Sequence, residues 1–159
     1  MKKSKIDSVI FLDVDGVLND MADDNIGEDW DYPSPKHLEP LKEIVERTGA
    51  SIVLTSSWRL IKGACKRLQE AMEPYGLTWI DSTRELGPNR GAEIRDWLHR
   101  HPDLKHFVIL DDDVDGFNGC MANKFITTKP ISGLLPCHVN LACAILQDSI
   151  DWDMEDWLV

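Results

Sequence analysis

Two aspartates, Asp13 and Asp15, are separated by a single residue and lie between the apolar run 9–12 and Gly16. Near a strand end, side chains two residues apart point to the same side, so both carboxylates can face one pocket. At about 4 Å and an effective dielectric constant near 20, two such charges repel by roughly 4 kcal/mol. A shared proton, a basic group or a hard cation must offset this repulsion. Taken alone, the motif is equally compatible with a solvated acidic turn.

A second acidic cluster, made of Asp111, Asp112, Asp113 and Asp115, follows the apolar run 106–110. Apolar strands that alternate with helices predict a parallel sheet, and such sheets bind ligands at the carboxyl ends of their strands. Both acidic groups are therefore expected at the same edge of the sheet. Because their ligand atoms are oxygens, the sequence predicts a site for Mg²⁺ rather than for zinc.

Three consecutive hydroxyl residues, Thr55, Ser56 and Ser57, come directly after the apolar run 51–54. At the end of a strand and before a helix, they could donate hydrogen bonds to a phosphate oxygen. The alternative is an ordinary helix N-cap with spare serines, which is the better interpretation of this segment alone.

A cation, Arg90, stands at the start of a predicted helix. A positive charge there opposes the helix dipole, so its presence suggests an anionic partner. A surface arginine that pairs with Glu93 or Asp96 on the same helix is an equally good interpretation on local grounds.

Apolar periodicity and capping residues predict five strands and four helices. The strands are Val9–Leu12, Ser51–Leu54, Leu77–Ile80, His106–Leu110 and Lys124–Thr128, and the helices span about residues 35–48, 59–74, 90–100 and 138–147. The first helix begins after the N-cap Ser34 and ends at Gly49. Residues expected to face the core include Leu60 and Ile61 in the second helix and Leu141, Ala144, Ile145 and Leu146 in the last.

The chain has 159 residues and a formal net charge of −11. This length suits one domain, residues 1–159, with a proper core. The negative charge counts against binding to an extended duplex. The four cysteines form no Cys-x-x-Cys pair, and the five histidines show no ligand spacing and receive no role. We expect no signal peptide, no transmembrane segment, and a cytoplasmic protein with reduced, mostly buried thiols.

Two polar segments stand apart from the alternating pattern. An acidic connection covers about residues 19–35, and it is either a flap over the site or a mobile loop whose aromatic residues pack down. The acidic tail, about residues 148–159, carries Trp152 and Trp157. We expect this tail to form a closing amphipathic turn, and an exposed partner-binding segment is the alternative.

Together, these motifs resemble the haloacid dehalogenase (HAD) superfamily of phosphohydrolases. The first motif is Asp13-Val14-Asp15-Gly16-Val17, the second is Thr55-Ser56, the third is Arg90, and the fourth is Leu110-Asp111-Asp112-Asp113-Val114-Asp115. The sequence also looks like a small capless branch that includes the HAD domains of RNA-repair proteins. The resemblance implies an α/β fold: a three-layer, Rossmann-like parallel sheet with helices on both faces and only a short flap.

The resemblance further implies a role for each acidic motif. Asp13 would be the nucleophile that forms an aspartyl-phosphate, and Asp15 would be the general acid and base. Mg²⁺ would be held by Asp13, by the backbone carbonyl of Asp15 and by an acid of the fourth motif. Depending on the alignment of that motif, the acid is Asp111 or Asp112.

The remaining motifs would bind the phosphate. Thr55, or Ser56 if the strand runs one residue further, would hydrogen-bond the phosphoryl group, and Arg90 would replace the usual lysine. A capless site implies large substrates such as nucleic-acid ends or phosphoproteins, and a nucleotide or another small phosphate ester is also compatible. The alternative function is a non-catalytic metal- or phosphate-binding domain, or a partner subunit of a larger repair system.

Overall fold

The computed structural model describes residues 5–21, 32–114, 117 and 121–147. Within them, five strands form a parallel sheet of order β3-β2-β1-β4-β5. The strands are β1 (Ser8–Leu12), β2 (Ser51–Leu54), β3 (Asp81–Ser82), β4 (His106–Asp111) and β5 (Phe125–Thr127). The described α-helices are α1 (Pro35–Thr48), α2 (Ala64–Met72), α3 (Arg90–His99) and α4 (Val139–Gln147).

The central strand, β1, is buried on both faces, and its alternate residues enter two hydrophobic clusters. Ile10 and Leu12 belong to the larger cluster, which contains side chains of α1, α2 and α4. Val9 and Phe11 belong to the smaller one, which contains α3 side chains, and the Phe11 ring meets Trp97 edge-on at 5.3 Å. A parallel strand that is apolar on both sides needs helices on both sides. The predicted three-layer α/β fold is confirmed.

The first helix also begins and ends as predicted. Ser34 is the extended N-cap and Pro35 the first helical residue, where the missing N–H of proline costs no hydrogen bond. Gly49 ends the helix with a left-handed φ of 69°, which glycine adopts without steric strain. The apolar face formed by Leu38 and Leu41 is fully buried, so the 3.6-residue period correctly predicted this helix.

The second helix begins later than predicted, at Ala64 instead of residue 59. Residues 57–60 form a short 3₁₀ turn after Ser56, whose side chain accepts a hydrogen bond from the backbone N–H two residues on. Gly63, with φ of 80°, then starts a separate helix. Leu60 and Ile61 consequently remain 55% and 53% exposed, so their predicted place in the core was wrong.

The third strand lies later in the chain than predicted. Leu77 is buried, yet the paired strand residues are Asp81 and Ser82, opposite Val53 and Leu54 of β2. The prediction followed the apolar residues 77–80, whereas the strand is defined by its backbone pairing with β2. At a sheet edge this pairing does not require apolar side chains.

The last helix presents a different face to the core from the predicted one. It begins at Val139, after a 3₁₀ turn over Pro136–His138, and its buried residues are Val139, Ala142, Cys143 and Leu146. Leu141 is 54% exposed and Ala144 is also exposed, while Ile145 is partly buried. The helix is apolar on most of its surface, and such a helix does not reveal its buried face from periodicity alone.

No cap domain is inserted between β2 and α3, because the fully described residues 55–89 hold only α2, β3 and short turns. Most of the acidic connection, residues 22–31, and the tail, residues 148–159, lie outside the described residues, so both predictions for them remain predictions. Among the described cysteines, all free, Cys143 is buried, Cys65 is half-buried and Cys137 is exposed. These three thiols are thus less buried than predicted. No described helix is both long and apolar enough to span a bilayer.

Candidate active site

Three adjacent strands end at the same edge of the sheet, and each brings one motif there. Asp13 follows β1, Thr55 follows β2 and Asp111 is the last residue of β4. The N–H of Asp13 donates to the Leu110 carbonyl at 3.0 Å, and the N–H of Thr55 donates to the Leu12 carbonyl at 2.9 Å. These bonds continue the strand pairing by one residue. The motifs therefore converge at the carboxyl edge, as the parallel-sheet argument predicted.

Three carboxylates form the centre of the site. Asp13, Asp111 and Asp112 each offer one oxygen, and these oxygens lie within 4.8 Å of one another. The Nη1 atom of Arg90 lies 3.0 Å from Asp13 Oδ1 and 2.9 Å from Asp111 Oδ2. With all three carboxylates ionised, one guanidinium leaves a net charge of two negative in a largely buried cluster. That charge, with an all-oxygen donor set, fits a divalent cation such as Mg²⁺.

Burial and like charge both disfavour ionisation of two carboxyl groups in the cluster. Burial, and then the neighbouring Asp111 carboxylate, raise the pKa of Asp13 from its ordinary 3.8 to about 8, although the Arg90 guanidinium acts in the opposite direction. Burial, and then Asp111, also raise the pKa of Asp112. The sequence led us to expect repulsion between Asp13 and Asp15, whereas the carboxylate that repels Asp13 most is Asp111, and Arg90 offsets only part of this repulsion.

The two candidate acids of the fourth motif both reach the cluster, but their surroundings differ. Both oxygens of Asp111 already accept hydrogen bonds, from Arg90 Nη1 at 2.9 Å and from the N–H of Asp113 at 3.1 Å. The half-buried Asp112 carboxylate lies against Gly16, where a Cβ atom would collide with it. Gly16 has a φ of 75° as well, so both the turn and the space for Asp112 require glycine.

The second aspartate of the first motif is exposed, but one of its oxygens is firmly held. Asp15 Oδ1 accepts hydrogen bonds from Asn19 Nδ2 at 2.9 Å and from the indole Nε1–H of Trp58 at 3.0 Å. Asn19 Oδ1 in turn accepts the N–H of Gly16 at 2.9 Å. Sequence reasoning missed both donors, although Asn19 and Trp58 lie within the conspicuous runs around the first and second motifs.

The sequence allowed the hydroxyl residues after β2 to be either phosphate ligands or an ordinary helix N-cap, and the structure gives these residues different surroundings. Ser56 Oγ accepts the N–H of Trp58 at 3.1 Å, so Ser56 is the ordinary cap. The Thr55 hydroxyl is buried and has no hydrogen-bond partner among the described residues. Since a buried hydroxyl without a partner is costly, Thr55 is the better candidate to bond a ligand. Ser57 is exposed and lines the site.

The alternative role of Arg90 as a surface residue is wrong. Its ion-pair partners are Asp13 and Asp111, across the site. Glu93 pairs instead with Arg59 at 2.7 Å, and Asp96 pairs with arginines other than Arg90. Arg90 therefore directs its positive charge towards the carboxylates of the cluster.

Two adjoining cavities give a substrate room at this edge. The first, of about 160 Å³, is lined by the site residues Asp13, Asp15, Ser57, Pro88, Arg90 and Asp111–Asp113. A second cavity of about 140 Å³ shares Ser57, Pro88 and Arg90 with it, and exposed Leu60 forms part of its wall. Because they share these residues, the two cavities lie side by side at the carboxyl edge of the sheet.

The loop after the first motif is fastened by a buried pair that the sequence did not reveal. Asp20 lies within the acidic connection, yet its carboxylate is buried and contacts the fully buried His37. Lys36 Nζ also lies 2.9 Å from this carboxylate. His37 Nδ1 also lies 2.7 Å from the Leu134 carbonyl oxygen. These contacts join the loop to α1 and to the segment before α4, so His37 has a structural role.

The fold and the placement of the four motifs define a domain of the HAD superfamily. A family model described as the HAD domain in Swiss Army Knife RNA repair proteins matches residues 9–139. Because this span covers well over half of the chain, the chain belongs to that family. No curated protein and no solved structure matches it significantly. At the level of the superfamily, the chain is a HAD-type phosphohydrolase.

Proposed function

We propose that this protein is a Mg²⁺-dependent phosphomonoester hydrolase that acts through an aspartyl-phosphate on Asp13. The observation that carries the proposal is the carboxylate cluster of Asp13, Asp111 and Asp112, whose negative charge Arg90 offsets only in part. Such a cluster serves both to hold a divalent cation and to place a carboxylate nucleophile beside it.

Mg²⁺ would be held by Asp13, by Asp111 or Asp112, and by the backbone carbonyl of Asp15. When bound, the ion supplies positive charge that stabilises the phosphoryl oxygens. Of the two fourth-motif acids, Asp112 is our preferred ligand, because Asp111 already accepts hydrogen bonds on both oxygens.

In the first step, a carboxylate oxygen of Asp13 attacks phosphorus, and a new O–P bond forms as the bond to the leaving oxygen breaks. Asp15 gives its proton to that oxygen, so the leaving group departs as a neutral alcohol. In the second step, Asp15, now ionised, takes a proton from water as the water oxygen attacks phosphorus. The Asp13–phosphorus bond breaks, phosphate leaves, and both aspartates return to their starting states.

Thr55 and Arg90 would hold the phosphoryl group during both steps. The hydroxyl of Thr55 can donate to a phosphoryl oxygen, and the guanidinium of Arg90 can give a forked, charge-assisted contact. Arginine cannot lose its proton at ordinary pH, so its contribution is charge and geometry only.

Replacing Arg90 with alanine is expected to weaken the binding of inorganic phosphate or tungstate by about ten- to a hundredfold, the usual cost of a charge-assisted hydrogen bond. Mg²⁺ binding should not weaken, because Arg90 competes with the ion for Asp13 and Asp111. Calorimetric titration measures both affinities. Arg84→Ala, which removes an exposed arginine paired with Asp96, is the matched control. Unchanged anion affinity in Arg90→Ala would remove Arg90 from the site.

The raised pKa of Asp13 predicts how stability depends on pH and on Mg²⁺. Because this pKa lies above its unfolded value, the stabilisation by the bound proton is full below about pH 4 and is lost as the pH rises through about 8. A cation replaces that proton, so millimolar Mg²⁺ should raise the melting temperature by about 5 °C at pH 8 and less at pH 5.5. Thermal melts with chelator or Mg²⁺ measure both shifts.

Asp13→Asn is the reference for these melts, because it lacks the titrating carboxylate and should lose most of the dependence of the Mg²⁺ shift on pH. Carboxylates outside the cluster titrate alike in both proteins, so the difference between the two proteins reports Asp13 together with Asp111 and Asp112, whose charges are coupled to it. No Mg²⁺ shift at pH 8 in the wild-type protein would contradict the metal site.

The substrate class we propose is a phosphorylated nucleic-acid end or a nucleotide. The family contains HAD domains of RNA-repair proteins, and the absence of a cap between β2 and α3 leaves one side of the site open. A screen of 3′- and 5′-phosphorylated oligonucleotides, mononucleotides and an aryl phosphate, with and without Mg²⁺, tests this choice. Release of phosphate from one end of an oligonucleotide would support a role in processing nucleic-acid ends. Release of phosphate from small esters alone would indicate hydrolysis of metabolites. Retained Mg²⁺ binding with no release would favour a non-catalytic binding domain.

A further inference from the structure

The carboxylate of Asp15 receives two N–H donors on the same oxygen atom. Asn19 Nδ2 and Trp58 Nε1 both reach Oδ1, at 2.9 Å and 3.0 Å. No described residue donates a hydrogen bond to Oδ2, and the Asp15 side chain lines the catalytic cavity. The two oxygens of one carboxylate are therefore in different environments.

The tryptophan donor is held rigidly. Its side chain is only 2% exposed, and the guanidinium carbon of Arg67 lies 5.1 Å from the centre of its ring. Its backbone N–H is bonded to Ser56 Oγ, and its carbonyl accepts the N–H of Ile61 at 3.1 Å. An indole fixed at both its backbone and its ring presents Nε1–H in a constant direction, which is the requirement for positioning a catalytic group.

We propose that Trp58 is a positioning residue, which acts with Asn19 to confine the transferable proton of Asp15 to Oδ2. A carboxyl oxygen that carries a proton is a poor acceptor, so protonation of Oδ1 would cost at least one of its two hydrogen bonds. A half-turn of the carboxyl group would incur the same cost. This inference rests on the proposed role of Asp15 as the general acid and base.

Confining the proton has a specific chemical consequence. In the first step, the bond between Oδ2 and its proton breaks, the electron pair stays on Oδ2, and the proton passes to the leaving oxygen. In the second step, Oδ2 takes one proton from the attacking water. The effect of proton placement on the rate of the first step depends on the basicity of the leaving oxygen. A strongly basic alkoxide must be protonated as it leaves, whereas the phenolate of an acidic phenol can leave without a proton.

Trp58→Phe tests the inference, because it keeps a ring in the core but removes the Nε1–H donor. We expect kcat/KM, which reports the first phosphoryl transfer, to fall about ten- to a hundredfold for an alkyl phosphate. For an aryl phosphate with an acidic phenol, we expect a loss below about threefold. A purely structural defect would lower both values by the same factor.

Trp97→Phe is the matched control. Trp97 is also fully buried, and its Nε1–H also bonds an aspartate, Asp81, at 2.8 Å, but it lies within α3, packs against Phe11 of β1 and lines neither cavity of the site. This variant should lose stability and show no difference between the two esters. The inference would be overturned if Trp58→Phe lowered kcat/KM by the same factor for both esters. It would also be overturned if the fall in kcat/KM were no greater than in Trp97→Phe.

A second variant covers the case in which Trp58→Phe does not fold. Asn19→Ala removes the other donor to Oδ1 and should show the same preference for the aryl ester, whereas an equal loss for both esters would overturn the proposal. A wild-type protein that hydrolyses neither these esters nor phosphorylated oligonucleotides or nucleotides would overturn the proposed function, and this inference with it. Wild-type turnover without any ester-dependent loss in the variants would overturn this inference alone.

Discussion

Asparagine in place of Asp13 is expected to lower phosphate release at least a thousandfold, roughly the scale of losing a covalent nucleophile. The two side chains have nearly the same shape, but an amide oxygen carries no negative charge with which to attack phosphorus. The substitution also removes one of three crowded carboxylates from a cluster with excess negative charge. We therefore expect the variant to fold normally and, in a chelator, to melt at a higher temperature than the wild-type protein at pH 8.

Three measurements test this expectation together: phosphate release, the melting temperature without metal, and detection of a covalent phosphoprotein after rapid acid quench. The control is Asp7→Asn, the same change at an exposed aspartate before β1, which should alter none of the three. Loss of turnover together with a lower melting temperature would show that the cluster is not electrostatically strained. Undiminished turnover would show that Asp13 is not the nucleophile.

The convergence of the acidic motifs could be predicted from the sequence because it follows from topology alone. Each motif comes directly after an apolar strand, and in a parallel sheet every strand ends at the same edge. The position of Asp13, Thr55 and Asp111 therefore needs only the strand order, not the detailed packing. The helix boundaries marked by Pro35 and Gly49 were also predicted correctly, but for a local reason. Each boundary is set by the backbone preference of one residue.

Features that depend on contacts distant in the chain could not be predicted in this way. Trp58 bonds Asp15 across 43 positions, and His37 contacts the Leu134 carbonyl across 97. A tryptophan after three hydroxyl residues gives no sign that its indole will face an aspartate. The late start of α2 has a local cause, the left-handed Gly63, but a glycine within an apolar periodic segment does not by itself indicate a new helix start.

We propose two functions for Asp15: its side chain transfers a proton, and its backbone carbonyl binds Mg²⁺. Replacing Asp15 with asparagine should remove the first function and keep the second. In Asp15→Asn, the side-chain oxygen can still accept from Trp58 and Asn19, so the group should keep its place. An amide cannot supply or take the proton, and we expect turnover of an alkyl phosphate to fall by about a hundred- to ten-thousandfold. Mg²⁺ affinity should change little, because the proposed ligand from this residue is its backbone carbonyl.

An aryl phosphate gives this variant a distinctive result. An acidic phenol leaves without a proton, so Asp13 should still become phosphorylated, but no base then activates water for the second step. The variant should therefore release about one phenol per protein in a burst and accumulate phosphoprotein, which an acid quench followed by mass measurement would detect. Asp103→Asn, at an exposed position outside the catalytic cavity, should turn over like the wild-type protein. A large loss of Mg²⁺ affinity would instead make Asp15 a side-chain metal ligand. The absence of both burst and turnover, with Mg²⁺ still bound, would favour a domain that binds phosphate without hydrolysing it.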